Sequence, residues 1–265
     1  MNEPLLIEHR KGVCKLTLNR PASRNALDRA MAQSLLETIT NAGNDSTVRC
    51  IIITGSGESF CSGGDVKMFA EVMGADRNTR AKHFELFAGQ VHQIITALRQ
   101  APKPAVASTR GAVAGFGISL AMACDITISS NTSFFTLAYA RMGLSPDGGS
   151  TYFLPRLIGE RRARELALLA DRFDAQTALS YGLVNSVVDD KQLETETEKL
   201  GLRLASGPTQ AYANAKSLFN TSWLSSLDEQ LSAEATQLGN STATADFEEA
   251  VEAFISKRTP KFTGQ

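Results

Sequence analysis

The sequence predicts an α/β fold that gives way to an all-helical carboxy-terminal part. Three observations carry that reading. Short apolar runs recur between longer segments of helical spacing, glycine-rich turns stand where strand passes into helix, and strand patterning stops near residue 190. A chain of 265 residues is ample for a buried core and suits one large domain with an appendage. The division is expected near residue 200, with a core over 1–200 and a helical subdomain over 201–265.

Leu5 to Arg10 and Val13 to Asn19 alternate apolar and polar residues about Lys11-Gly12, the pattern of a hairpin. A loop over 21–25 follows. From Asp28 to Thr40, Met31, Leu35 and Ile39 fall at helical spacing. Val48 to Thr54 is nearly all apolar, as expected of a strand buried on both faces, and it stops at Gly55-Ser-Gly57. Phe60-Cys-Ser-Gly-Gly-Asp-Val66 is a first glycine loop opening into a helix.

Residues 80–100 form a long amphipathic helix with Phe84, Phe87, Val91, Ile94, Ile95 and Leu98 on one stripe, ended by Pro102 and Pro104. Ala105 to Thr109 is a strand feeding a second glycine loop, Gly111-Ala-Val-Ala-Gly115-Phe-Gly117, with helix expected from Ile118. Asp125 to Ser129 and Ser133 to Thr136 read as further strands. Gly143-Leu-Ser-Pro-Asp-Gly-Gly-Ser reads as a helix start, with Ser145 as N-cap and Pro146 at the first helical position. Phe173 to Gly182 is a short helix closed by glycine, and Leu183 to Val188 the last strand. Beyond Asp190 the pattern is helical to a polar tail from Lys257. Trp223, Leu224 and Leu227 in that part suit docking onto the core or another subunit.

Composition excludes several functions. The net charge of −1 gives no electrostatic footprint for nucleic acid or an anionic membrane. No apolar run is long enough to span a bilayer, and the amino terminus lacks the pattern of a signal peptide, so a cytoplasmic location is expected. Four scattered cysteines without a CxxC pair, and only three histidines, give no support to a metal site. Neither GxGxxG nor GxxxxGK[ST] occurs at a strand–helix junction.

Chemistry concentrates in three places. Each glycine loop precedes a helical segment, whose first N–H groups lack partners and favour negative charge. If the fold brings Gly64 and Phe116 together, their N–H groups would form an oxyanion hole; independent structural loops fit the sequence equally well. Asp147, between Pro146 and paired glycines, could move a proton if burial tunes it, or could simply favour the positive end of its helix.

The chain resembles the crotonase (enoyl-CoA hydratase/isomerase) superfamily over nearly its whole length. The matching residues are Leu16-Thr-Leu-Asn-Arg-Pro, Arg24-Asn-Ala-Leu, Phe60-Cys-Ser-Gly-Gly-Asp, Lys103-Pro, the second glycine loop through Cys124-Asp125, and Tyr181-Gly-Leu-Val. The resemblance implies a spiral of ββα turns, an acyl-CoA thioester as substrate with CoA as part of it and no other cofactor, and a homotrimer or dimer of trimers. It implies that the helical subdomain serves oligomerisation and active-site covering. By position, the oxyanion donors would be the N–H groups of Gly64 and Phe116. Arg24, Ala26, Ser62, Gly63, Asp65 and Val66 would hold the CoA part, with Gly115, Ser119 and Tyr139 lining the substrate.

The departures from the family pattern bear on the reaction. Family hydratases carry two glutamates, and here those positions hold Ser119 and Tyr139. Neither is a carboxylate base; a tyrosine titrates at about 10. Asp147 remains, at a position that the family's isomerases use for proton transfer. The segment from Gly143 to Thr151, Leu154-Pro-Arg and the tail from Lys257 are most similar to the ring-epoxide acyl-CoA isomerases of phenylacetate breakdown. The resemblance therefore implies isomerisation of an acyl-CoA in fatty acid or aromatic acid catabolism. The alternatives are hydratase activity, a dehalogenase-like hydrolysis of an aryl-CoA with Asp147 as nucleophile and His92 beside it, and a non-catalytic acyl-CoA-binding member.

Overall fold

The hairpin expected at the amino terminus opens the central sheet. In the computed structural model, which describes residues 3–265, β1 (Leu5–Arg10) and β2 (Val13–Leu18) pair antiparallel about Lys11-Gly12. Met1 and Asn2, included in the expected core, lie outside the described residues. α1 (Arg29–Asn44) follows, with the Asp28 carboxylate accepting from the Met31 N–H as its N-cap. β3 (Cys50–Gly55) returns parallel to β2.

After the first glycine loop come a short helix, α2 (Val66–Ala70), and the long α3 (Arg77–Gln100). β4 (Ala105–Thr109), β5 (Ala112–Ala114) and α4 (Phe116–Ala123) carry the second glycine loop. β6 (Ile126–Ser130) and β7 (Phe134–Thr136) precede a 3-10 turn over Tyr139–Met142. Then follow α5 (Ser150–Ile158), α6 (Glu160–Leu169), β8 (Phe173–Asp174), α7 (Ala175–Tyr181) and β9 (Ser186–Val188). The larger sheet has the order β1-β2-β3-β4-β6-β9, parallel from β2 onward, and a smaller sheet has the order β5-β7-β8.

The continuous apolar run of β3 is explained by what covers it. Ile51 and Ile53 face the main core with Leu35, Ile39, Ile94 and Leu98 of α1 and α3. Cys50 and Ile52 face the other way, with Val13, Val106 and Ala205. The helix on that side, α8 (Leu193–Ala205), approaches so closely that a Cβ on Gly201 would lie 2.6 Å from Ile52 Cδ1. Both faces are buried, so alternation is lost.

Several boundaries differ from the sequence reading; α1 runs on to Asn44, α3 starts at Arg77 and β3 covers Cys50–Gly55. α4 begins at Phe116, two residues earlier than expected, because Gly115 (φ 51°) makes the turn that starts it. Phe173-Asp174 pairs with β7 as a short strand, so α7 starts only at Ala175. The last strand is confined to Ser186–Val188. The difference that bears on the site is at α5, which starts at Ser150 and not after Ser145. Gly148 and Gly149 take φ of 60° and 81°, a left-handed conformation that cannot continue a right-handed helix. Ser145 is therefore no N-cap, and Asp147 rides on a loop.

Beyond α8, the chain continues as α9 (Thr209–Thr221), α10 (Leu227–Thr242) and α11 (Ala245–Ile255). The Lys216 ammonium, buried under α9, ties this part to the core. It donates to the carbonyls of Leu98 (2.9 Å) and Lys103 (3.0 Å) and pairs with Asp125 (2.9 Å). Trp223 and Leu224, between α9 and α10, and Leu227 at the start of α10 are exposed, as are Phe219 on α9, Leu238 on α10 and Phe254 on α11. Among the described residues no helix is long and apolar enough to cross a membrane.

Candidate active site

The two glycine loops meet. Cys61 is the joint: its N–H donates to the Ala112 carbonyl at 3.0 Å, and its carbonyl accepts from the Ala114 N–H at 2.9 Å. That pairing lays Gly63 against the start of α4. A Cβ on Gly63 would sit 3.3 Å from the Ala114 carbonyl oxygen, 3.6 Å from Gly115 Cα and 3.7 Å from the Phe116 nitrogen. Gly117 has its own reason to lack a side chain, since a Cβ there would fall 2.3 Å from the Cys61 carbonyl oxygen.

Around Gly64 the neighbouring backbone groups are occupied. The Gly63 carbonyl accepts from Leu27 at 2.8 Å, and the Asp65 N–H donates to the Leu27 carbonyl at 2.9 Å. The N–H groups of Gly64 and Phe116 have no backbone acceptor among the described residues. The Phe69 ring packs over Gly64, its Cζ 2.7 Å from where a Cβ would be, and Phe84 meets Phe69 edge-on.

Asp147 lies directly on α4. A Cβ on Gly148 would come 2.8 Å from Ser119 Cβ and 3.2 Å from Phe116 Cδ2, so the loop carrying Asp147 touches the residue carrying the Phe116 N–H. Ser119 Oγ donates to the Asp147 carbonyl at 3.1 Å, and Ser150 Oγ does so at 2.8 Å. The Tyr139 hydroxyl donates to Asp147 Oδ1 at 2.5 Å. Burial first, and the Asp147 charge second, push the Tyr139 phenol far above its usual range, so it stays protonated and a donor. His92, exposed on α3, reaches the same loop through its Nε2, which accepts from the Gly148 N–H at 3.3 Å. Its contact is with the backbone of that loop, one residue beyond Asp147.

The residues assigned to the CoA part form the rim of the Gly64 loop. The Ser62 N–H donates to the Arg24 carbonyl at 3.0 Å, and Ser62 Oγ reaches the Ser23 carbonyl at 3.3 Å. Arg24 and Asn25 both take left-handed backbone (φ 52° and 55°). Ala26 is buried, its carbonyl accepting from Arg20, whereas Val66 is exposed at the start of α2. Asp65 accepts from Arg20 at 2.7 Å and from the Lys67 N–H at 3.0 Å. Burial opposes the charge of Asp65, but those donors outweigh it and hold its carboxyl below the usual range.

Asn25 and Arg20 hold this rim, and neither was assigned a role in the sequence reading. Asn25 is fully buried; its Nδ2 donates to the carbonyls of Ser56 (3.0 Å) and Ser59 (2.7 Å), and its Oδ1 accepts from the Arg20 N–H (2.8 Å). The asparagine stands within Arg24-Asn-Ala-Leu, the one signal that marked it.

N–H groups without a protein acceptor can hold a developing oxyanion, and a nearby carboxylate can move a proton. Comparisons with known proteins bear on the family. A family model described as enoyl-CoA hydratase/isomerase matches residues 8–265. The 1,2-epoxyphenylacetyl-CoA isomerase of Escherichia coli K12 is 35% identical, covering 100% of both chains. The trans-2-decenoyl-acyl-carrier-protein isomerase of Streptococcus mutans is 35% identical over 96% of this chain and 95% of its own. Among solved structures, an enoyl-CoA hydratase from Polaromonas sp. JS666 superposes with a TM-score of 0.91 at 31% identity, covering 97% of this chain and 99% of that one. Sequence, fold and comparisons converge: this chain belongs to the enoyl-CoA hydratase/isomerase (crotonase) family.

Proposed function

We propose that this protein is an acyl-CoA isomerase that shifts a double bond, or rearranges a ring epoxide, by proton transfer through an enolate. In this reading the N–H groups of Gly64 and Phe116 hold the thioester oxygen as negative charge develops on it. Asp147 takes a proton from one carbon and returns it to another. The loops around Arg24, Ala26, Ser62, Gly63, Asp65 and Val66 hold the CoA part, and Gly115, Ser119 and Tyr139 line the acyl group. The exposed apolar positions of α9 to α11 support a homotrimer or dimer of trimers.

One observation carries the choice of isomerase over hydratase. The loop that carries Asp147 packs on Phe116 and Ser119 of α4, while Ser119 and Tyr139 themselves stand at the two positions where family hydratases carry glutamates. Adding water by the two-carboxylate route needs one group to activate water and another to deliver a proton, whereas double-bond migration needs one shuttle. The relatives include isomerases and a hydratase, so the site chemistry is the discriminator.

The test is product analysis with 3-enoyl-CoA and 2-enoyl-CoA thioesters. Wild-type protein should move the double bond of the first, and Asp147→Asn should lose that activity by at least about 100-fold, the scale of a general base, while still binding the thioester. A fully active Asp147→Asn, or conversion of the 2-enoyl ester to its 3-hydroxy product at an ordinary enzymatic rate, would overturn the reading. Halide release from a halobenzoyl-CoA would favour the nucleophilic role of Asp147 instead.

A further inference from the structure

Ser119 and Tyr139 do more than stand where other family members have carboxylates. Both hydroxyls are donated to the same residue, one to the main chain of Asp147 and the other to its side chain. A carboxylate on a loop turns readily about its terminal torsion, and its two oxygens are chemically equivalent. A base that must collect a proton at one carbon and release it at another needs one oxygen held in a fixed direction.

We propose that Tyr139 is a positioning residue: its hydroxyl captures Oδ1 of Asp147 and thereby assigns proton transfer to Oδ2, while Ser119 fixes the height of the loop by holding the Asp147 carbonyl. The proposal rests on the reading of Asp147 as the proton shuttle.

The surroundings of Tyr139 are built for such a role. Ala138, in left-handed backbone (φ 53°), turns the chain sharply into the 3-10 turn that begins at Tyr139. The Tyr139 carbonyl accepts from the Leu144 N–H at 3.0 Å, so the turn is tied to the loop leading to Asp147. At the other end of the side chain, Tyr139 Cζ lies 3.9 Å from where a Cβ of Gly115 would be. The tip of the side chain thus meets both the glycine that precedes Phe116 and the carboxylate. It fixes the base relative to the donor, which is the relationship that proton transfer at an enolate depends on.

Tyr139→Phe removes the hydroxyl that holds Oδ1 and keeps the ring, so it tests the positioning apart from the packing.

The experiment uses the purified full chain and 3-enoyl-CoA isomerisation. Tyr139→Phe should lower kcat about tenfold, the size of one hydrogen bond to a charged group, with KM and the melting temperature nearly unchanged. A 3-fluorotyrosine at position 139, which keeps the donor and almost the same shape, should restore kcat. An unchanged kcat in Tyr139→Phe, or a fall that 3-fluorotyrosine does not reverse, would overturn the proposal, as would a fall in activity that appears only in KM or in the melting temperature. Asp147→Asn run in parallel separates the two readings. If it is inactive while Tyr139→Phe matches wild type, the role of Tyr139 alone fails; if it is active, the shuttle and everything resting on it fail.

Discussion

Gly148 rests against Ser119 so closely that a Cβ on the glycine would lie 2.8 Å from the serine Cβ. The same atom would lie 3.2 Å from Phe116 Cδ2, and the backbone there has a φ of 60°. Gly148→Ala must therefore adopt a strained conformation, at about 1 kcal/mol, and also push the loop off α4. Because Asp147 is the adjacent residue, the movement is transmitted to the proposed base. A misplacement of about 1 Å is enough to cost roughly 100-fold in rate, so kcat should collapse while the melting temperature falls only modestly. Steady-state kinetics beside a thermal melt will show whether the two effects separate in this way.

Asn25 is the knot of the neighbouring loop. Truncation by Asn25→Ala leaves the buried Ser59 carbonyl, the half-buried Ser56 carbonyl and the half-buried Arg20 N–H without that partner. Each orphaned buried group costs about 1–3 kcal/mol, so the loss of folding stability should reach at least about 2 kcal/mol. Binding of CoA thioesters should weaken as well, because Arg24 and Ala26 flank the knot. Chemical denaturation and titration with an unreactive acyl-CoA measure the two consequences.

These residues also mark how far the sequence could be read. The β3 run and the α3 stripe follow from local hydrophobic pattern, and their burial on the expected faces follows from it too. The glycine loops were visible as loops, but their meeting depends on the backbone pairing of Cys61 with β5, a contact between segments about fifty residues apart that no local pattern encodes. The start of α5 was misplaced because Ser-Pro is a good helix opening, whereas two consecutive left-handed glycines prevail. Tyr139 and Asp147 are eight residues apart, yet nothing in their spacing announces the bond between them, because an irregular turn brings the side chains together.

The attachment of the helical part to the core is testable at Lys216. Its ammonium meets two carbonyls and Asp125 in a buried setting, and the Ala105 N–H shares the same carboxylate at 2.8 Å. Lys216→Met keeps an unbranched apolar stem but leaves the two buried carbonyls without their donor and Asp125 with Arg99 alone, at 3.8 Å. Each orphaned buried group costs about 1–3 kcal/mol, and here the cost falls on the contact between α9 and the core. Limited proteolysis should cut the variant after residue 205 at a protease concentration that spares wild type. Equal resistance in both would show that the apolar packing of α8 and α9 suffices.

The acid side of the stability profile should carry the signature of Asp65. Although burial works against its charge, Arg20 and the Lys67 N–H depress its folded-state pKa below the ordinary 3.8. For a carboxylate depressed on folding, the unfolded chain binds the proton first as pH falls. The stabilisation is therefore complete above the ordinary value and drains away as pH drops from there through the lower, folded-state value. Asp65→Asn removes this contribution at every pH. It should melt below wild type near neutrality, and the gap between the two melting temperatures should narrow once the pH passes below 3.8. The same substitution leaves Arg20 with Asp28 alone as its ionic partner, at 3.1 Å, so the rim of the Gly64 loop should loosen and CoA-thioester binding should weaken at neutral pH. A gap that stays constant down the acid range would show that Asp65 acts through shape and hydrogen bonding rather than through its charge.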